Sequence, residues 1–308
     1  PINYGTMDSG VNMSWFRSIR HYPYLFYHYV LQRDKPLLAS FKLTYRCNLS
    51  CQQCPFYSIQ AEELSYGEVV EIFDRLHERG NRLIVLEGGE PMLWKDGEYS
   101  IHDVVAEARK RFFSVGMTTN GTLALDVSVD TLWVSLDGLE KTHNELRGAS
   151  IFGKIMENIS NSNHPRLFAH ITINSINADE IPALIRFLQS KVKGMTVQFY
   201  YPYNHKDELF LDFERREHLL KEIIKLKRAG NSILNSYAAL KALKRNTWRC
   251  DDRLIDNANP DGTITQGCYL KNRADIDCSK CGFSPHTEIS LACQANPQSI
   301  LAGKRIFF

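Results

Sequence analysis

Apolar residues recur along this chain in two alternating rhythms. Short, nearly continuous apolar runs of strand length are followed by longer stretches with apolar positions three and four residues apart. LLASFKLTYR (37–46) reads as a first buried strand, and GEVVEIFDRLHERG (67–80) as a helix ending on Gly80. RLIVLEGGEP (82–91) is a second strand running into a Gly-Gly turn, and IHDVVAEARKR a helix. FFSVGMTTNG (112–121) and TLWVSLDG (131–138) are the third and fourth strands, with helical stretches then reaching about Ser160. RLFAHITINS (166–175) is the fifth, DEIPALIRFLQSKV (179–192) a helix, and GMTVQFYYPY (194–203) the sixth. FERREHLLKEIIKLKRAG (213–230) is again helical. Parallel strands joined by crossover helices follow from this order. Six units fall short of an eight-fold barrel, so the expected fold is α/β: a partial (β/α)6 TIM-like barrel, open on one side. Chemistry in such folds gathers at the C-terminal ends of the strands. Every distinctive motif falls there: CNLSCQQC, GGEP, TTNG, SLDG and YYPYNH.

After Asn246 the rhythm stops, and the remaining residues hold five of the eight cysteines. The expected organisation is an N-terminal aromatic and basic helical segment (1–36), the barrel (37–246) and a small cysteine-rich extension (247–308). A length of 308 residues suits one barrel with an appendage. A net charge of +2 gives no electrostatic case for nucleic acid. The sequence shows no signal peptide and no apolar run long enough to cross a bilayer, so it reads as cytoplasmic; a first residue of Pro1 leaves a trimmed leader open. In such a compartment eight cysteines point to metal or redox chemistry rather than disulfides.

Cys47, Cys51 and Cys54 are spaced C-x3-C-x2-C. Clustered thiolates hold iron or zinc, and a closed structural zinc site takes four protein ligands. Three leave one coordination position open, which on a 4Fe–4S cluster frees one iron for a substrate or cofactor. Zinc completed by a remote Cys or His, or three unconnected core cysteines, are the competing readings.

With GGEP, TTNGT and SLDG following the next three strands, the chain over 37–205 resembles the radical SAM superfamily. The resemblance implies that Cys47, Cys51 and Cys54 ligate a 4Fe–4S cluster. It further implies that Gly88, Gly89 and Glu90 receive the amino group of S-adenosylmethionine (SAM). Asn120 and Ser135 are then expected at its ribose and carboxylate, and Arg147 of HNELRG at the carboxylate, an Arg–carboxylate fork being a sound pairing. The activity implied is reductive cleavage of SAM to methionine and a deoxyadenosyl radical, which takes hydrogen from an unactivated position. An electron donor such as flavodoxin or ferredoxin is implied with it. One departure concerns the place before the third cysteine, where the family commonly has an aromatic residue near the adenine. Here it is Gln53, with Phe56 and Tyr57 just beyond. A separate cobalamin-binding domain is not expected, since the residues before the barrel are too few for one.

The tail reads C-x17-C-x9-C-x2-C through Cys250, Cys268, Cys278 and Cys281, with NPDGTITQGC forming a hairpin turned at Asp261-Gly262. It resembles the SPASM/twitch extensions, which implies an auxiliary 4Fe–4S cluster on these four residues. A four-cysteine structural zinc site is the alternative. Cys293 is left over and reads as a small buried hydrophobe. Tyr200, Tyr201, Tyr203, His205 and Asp207 are candidates for substrate contact or proton transfer, with Tyr203 and His205 foremost. Residues 13–35 combine Trp15, Phe16, Ile19, Leu25 and Phe26 with basic residues. They read as a helix packed on the barrel, or as a membrane-surface helix giving access to a lipid. The functional expectation is a radical SAM enzyme acting on a small molecule or lipid. A peptide-modifying SPASM-type maturase and a catalytically silent iron–sulfur or zinc scaffold are the alternatives.

Overall fold

The computed structural model describes residues 23–24, 35–203 and 207–308. All six expected strands form: β1 (Leu38–Thr44), β2 (Leu83–Gly88), β5 (Ser114–Thr119), β6 (Thr131–Ser135), β7 (Leu167–Ile173) and β8 (Gly194–Phe199). They pair in parallel, in the order β1-β2-β5-β6-β7-β8. A two-residue hairpin of β3 (Lys95–Asp96) and β4 (Tyr99–Ser100) lies outside this sheet. The helices α1 (Tyr66–Arg79), α2 (Ile101–Ala108), α3 (Glu140–Arg147), α4 (Phe152–Asn161), α5 (Ile181–Leu188) and α6 (Phe213–Arg228) follow in turn. The first begins at a capping box in which Ser65 and Glu68 satisfy each other's backbone N–H, and its apolar stripe, Val69, Ile72, Phe73 and Leu76, is buried. The observed architecture is therefore a partial TIM-like barrel.

One strand face and the helices make the core. Ala39, Phe41, Ile84, Leu86, Val115 and Met117 are wholly buried among Phe73, Leu76, Val104 and Ile185. The other face is polar. Lys42 and Glu87 are register partners across β1 and β2, and Ser135, His170 and Thr196 line up across β6, β7 and β8. Glu87, Ser135, His170, Thr172 and Gln198 keep partial exposure in the middle of the sheet. Nothing in the apolar runs announces this inner polar face.

The extension does more than append. After α7 (Tyr237–Ala242), the expected hairpin forms as β9 (Ile255–Ala258) and β10 (Ile264–Gln266). Rather than standing apart, β9 pairs in parallel with β1, so the sheet has eight strands. At the opposite edge, Phe199 N–H donates to the carbonyl of Gly282 at 3.0 Å. A Cβ on Gly282 would lie 2.5 Å from the Phe199 Cβ. The extension thus touches both edges of the partial barrel, and α8 (Ser284–Cys293) and α9 (Pro297–Phe307) complete it. Further down, the β8 edge is paired by the segment around Ile233: Met195 N–H reaches Ser232 O and Leu234 N–H reaches Met195 O.

The proposed membrane-surface segment falls outside the described residues except Pro23, Tyr24 and Lys35. Tyr24 packs edge-on against Phe113, and its hydroxyl donates to Gly80 O at 3.0 Å. No helix among the described residues is long and apolar enough to cross a membrane.

Candidate active site and the two thiol sets

The loop leaving β1 carries Cys47, Cys51 and Cys54, each within electrostatic reach of the others. Gln52 ties this loop to the end of α3, its N–H donating to Leu146 O at 2.9 Å and its side chain to Glu145 O at 3.0 Å. Two side chains aim N–H groups at the sulfurs. Asn120 Nδ2 lies 3.9 Å from Cys47 Sγ and Arg147 Nη1 lies 3.9 Å from Cys51 Sγ. As free thiols these groups resist ionisation: burial pushes Cys51 up to about 11 against the pull of Arg147, and burial also raises Cys47. Metal ligation reverses that preference, because iron takes the thiolate. Three thiols in one loop, with donors facing two of them, fit an anionic iron–sulfur cluster.

Arg147 is held by Asp137, a residue that motif reading passed over. Its Nη2 lies 2.6 Å from Asp137 Oδ2. Burial opposes the charge on Arg147, yet Asp137 and Cys51 outweigh it and raise its pKa. Asp137 is wholly buried and also accepts from Gln53 Nε2 at 2.7 Å and Thr172 N–H at 3.0 Å. Gln53 is therefore the loop's tether to this carboxylate. Arg147 Nε remains buried with no hydrogen-bond partner among the described residues, which leaves one donor for an incoming anion.

The glycines of GGEP serve the fold first. A Cβ on Gly88 would meet Thr44 O at 2.3 Å, and one on Gly89 would meet Arg46 O at 2.2 Å. The close approach they permit is between the ends of β1 and β2. Gly89 N–H donates to Thr44 O and Glu90 N–H to Arg46 O, which anchors the thiol loop beside the turn. Glu90 is fully buried and accepts from Asn120 N–H at 2.6 Å, Thr119 Oγ1 at 2.8 Å and Met92 N–H at 3.1 Å. Burial raises its pKa despite those bonds. Asn120 in turn donates to Asn48 Oδ1 at 2.8 Å. Ser135 ends β6 beside His170 on the inner face.

The four tail cysteines also gather. Cys250 senses Cys281 and Cys268, while Cys281 senses Cys268 and Cys278. Burial pushes Cys250 up to about 12 and Cys281 to about 11. Arg216, fully buried on α6, donates to the carbonyl of Cys281 at 3.0 Å and stacks on Phe199 and Phe213. Cys293 has Asp251 and Arg253 as charged neighbours. Among the described residues, no three Cys, His, Asp or Glu side chains surround a point that one metal ion could occupy. A cluster with its irons at separate corners calls for thiols spread more widely than a single ion does.

An aromatic cluster of Phe56, Tyr200, Tyr201, Tyr203 and Phe283 has Cys54 of the first thiol set and Cys268 and Cys281 of the second packed against it. Phe56 lies edge-on to Tyr203 at 5.8 Å, whereas Tyr57 points outward, 43% exposed. Tyr203 is buried, and burial keeps its hydroxyl neutral far into the alkaline range. Tyr201 is an anchor for the extension: its hydroxyl donates to Asp275 O at 2.6 Å and accepts from Asp277 N–H at 2.7 Å. His205 lies outside the described residues, and so does the side chain of Asp207. His170 bonds Thr196 Oγ1 at 2.9 Å, and burial depresses it to about 4, so it is a neutral imidazole.

Sequence reasoning missed Lys42, Glu87, Tyr269 and Arg273, which form a buried polar group beside Cys54. The alternation of β1 and β2 puts Lys42 and Glu87 on one face, but either could have been a solvated charge.

These features define an α/β-barrel protein that presents an open three-thiol loop and a second thiol set at the C-terminal ends of its strands. The family model of the Radical SAM superfamily matches residues 41–188, so the barrel carries a radical SAM domain. Members of that superfamily use a 4Fe–4S cluster and SAM, and SPASM-type relatives carry auxiliary clusters. Fe-coproporphyrin III synthase of Methanosarcina barkeri (strain Fusaro / DSM 804) is 30% identical over 173 residues, 52% of this chain and 42% of that protein. The sporulation killing factor maturation protein SkfB of Bacillus subtilis (strain 168) is 32% identical over 164 residues, 49% of this chain and 39% of its own. The chain thus spans about two fifths of the length of these curated relatives. In fold, it is similar to Streptococcus suis SuiB bound to S-adenosylmethionine, with a TM-score of 0.65 and 15% identity, covering 90% of this chain and 69% of that one.

Proposed function

We propose that the chain reductively cleaves SAM at a 4Fe–4S cluster held by Cys47, Cys51 and Cys54, and takes hydrogen from a substrate on the inner barrel face. The observation that carries this reading is the convergence on one loop of three thiols, with the Asn120 and Arg147 N–H groups facing two of the sulfurs. When bound, the cluster supplies the electron and SAM the hydrogen-abstracting group. The protein's part is placement. Asn120 and Arg147 offset sulfur charge, Asp137 fixes Arg147, and Glu90 locks the GGEP turn to the end of β5. Arg147 Nε, still without a partner, is the donor best placed for the SAM carboxylate.

Cys250, Cys268, Cys278 and Cys281 are proposed to hold an auxiliary 4Fe–4S cluster. The substrate is proposed to be a small molecule, because the polar inner face is flanked by the extension on both barrel edges. A peptide substrate is the second reading, favoured by the similarity to SkfB and to SuiB solved with its precursor peptide.

Iron and sulfide analysis after anaerobic reconstitution tests the two-cluster arrangement. About eight irons per chain are expected, falling to about four in Cys268→Ala. A wild-type chain with about four irons and firmly held zinc would replace the auxiliary cluster with a structural zinc site.

A further inference from the structure

Lys42, Glu87, Tyr269 and Arg273 come from three distant parts of the chain and meet on the inner face beside Cys54. Lys42 Nζ lies 3.1 Å from Glu87 Oε1, and Arg273 Nη1 lies 4.0 Å from the same oxygen. Ser40 Oγ donates to that oxygen at 2.5 Å, Lys42 also donates to the Tyr269 hydroxyl, and the hydroxyl lies 3.5 Å from Glu87 Oε2. The Lys42 ammonium sits over the Phe56 ring at 4.2 Å, and the Arg273 guanidinium over Tyr269 at 4.4 Å. Both cationic side chains are 2% exposed, whereas Glu87 keeps 21%, so the group borders space that water reaches.

Two cations meet one carboxylate here. Tyr45, Tyr203 and Tyr269 are neutral, since burial raises all three, and His170 across the lumen is neutral as well. The sulfur of Cys54 in the thiol loop also lies within electrostatic reach of Lys42. Burying an excess positive charge is costly unless an anion accompanies it. Donors remain for one. Lys42 has three N–H groups and uses two of them, on Glu87 and Tyr269. Arg273 has five, and its bonds go to Asn259 Oδ1, Tyr269 O and Ala258 O.

We propose that Lys42 and Arg273 seat a carboxylate of the substrate, with Phe56, Tyr203 and Tyr269 against an apolar body beside it. This deepens the enzyme reading above and rests on it for the word substrate. Because Arg273 and Tyr269 belong to the extension and Lys42 to β1, the seat exists only when the extension is docked on the barrel.

Calorimetry on the anaerobically reconstituted full chain tests the seat, with 3-phenylpropionate, its amide and phenyl phosphate as probes and neither SAM nor reductant present. The acid is expected to bind and the amide to bind at least about tenfold more weakly, as loss of a charge-assisted bond dictates. Lys42→Met and Arg273→Gln should each weaken the acid about ten- to a hundredfold, while Glu87→Gln, which removes the competing carboxylate, should strengthen it. Should either cation variant fail to fold, the Glu87→Gln result and the acid-to-amide ratio in the wild type still decide. Equal affinity for acid and amide, no binding of any probe, unchanged or weaker binding in Glu87→Gln, or tighter binding of phenyl phosphate each overturns a carboxylate seat. Deoxyadenosine release separates the two readings: release without acid binding removes only the seat, and acid binding without release removes only the enzyme reading.

Discussion

At the scale of single residues, the GGEP turn is a packing device. Gly88 has φ +150°, and its missing side chain lets Thr44 O approach to a distance no Cβ tolerates. Gly88→Ala is expected to displace the thiol loop along with the β1 end. The checks are a melting point lowered by several degrees, as about 1–3 kcal/mol of strain implies, and a reduced iron content after reconstitution. Asn120→Ala removes the N–H facing Cys47 and the bond to Asn48. Hydrogen bonds to cluster sulfurs raise the reduction potential, so a lower potential for the SAM-binding cluster is expected in an electrochemical titration. An unchanged potential would relegate Asn120 to loop packing. The three cysteines, Glu90 and Asn120 stand out by their spacing after strands, and the structure brings Asn120 to Glu90 and Cys47. Asp137 was legible only as the tail of SLDG, since its partners Arg147, Gln53 and Thr172 come from three separate segments.

At the scale of elements, the six barrel strands were legible because each is a continuous apolar run. The pairing of β9 with β1 was not, because Ile255–Ala258 reads IDNA and carries two polar residues that the structure buries completely. Their burial is explained by partners no local pattern reveals. Asp256 takes a bidentate ion pair from Arg79, at 2.7 and 2.8 Å, and a bond from Asn81 Nδ2 at 2.7 Å. This pair fastens the extension to the end of α1. Asp256→Ala is expected to cost about 2–3 kcal/mol, below the range for a fully buried pair because Arg79 is partly solvated. The check is limited proteolysis together with thermal melting: the tail from about residue 250 should be cleaved faster than the barrel. Cleavage as slow as in the wild type would contradict the docking role of the pair.

At the scale of the whole molecule, the inner polar face couples ionisation to stability. Burial depresses His143 and His170 from 6.5 to about 4. The unfolded chain therefore binds more protons than the folded one between those values, and stability falls as pH drops from about 6.5 towards 4. Urea midpoints followed by circular dichroism at pH 7, 6 and 5 should decline in that order, and His170→Gln should flatten the decline. A profile equally steep in that variant would place the titrating groups elsewhere. The barrel architecture and the three-thiol loop could be read from the chain alone. The extension's contact with both barrel edges and the Lys42–Glu87–Arg273 group could not, because both depend on distant segments meeting. The most direct measurement is deoxyadenosine release from SAM under dithionite, with the wild-type chain and Cys51→Ala reconstituted side by side. Release by the wild type and its loss in Cys51→Ala is the predicted result. Equal release from both proteins, or none from a wild type shown to carry its cluster and supplied with carboxylate and peptide substrates, would contradict the account.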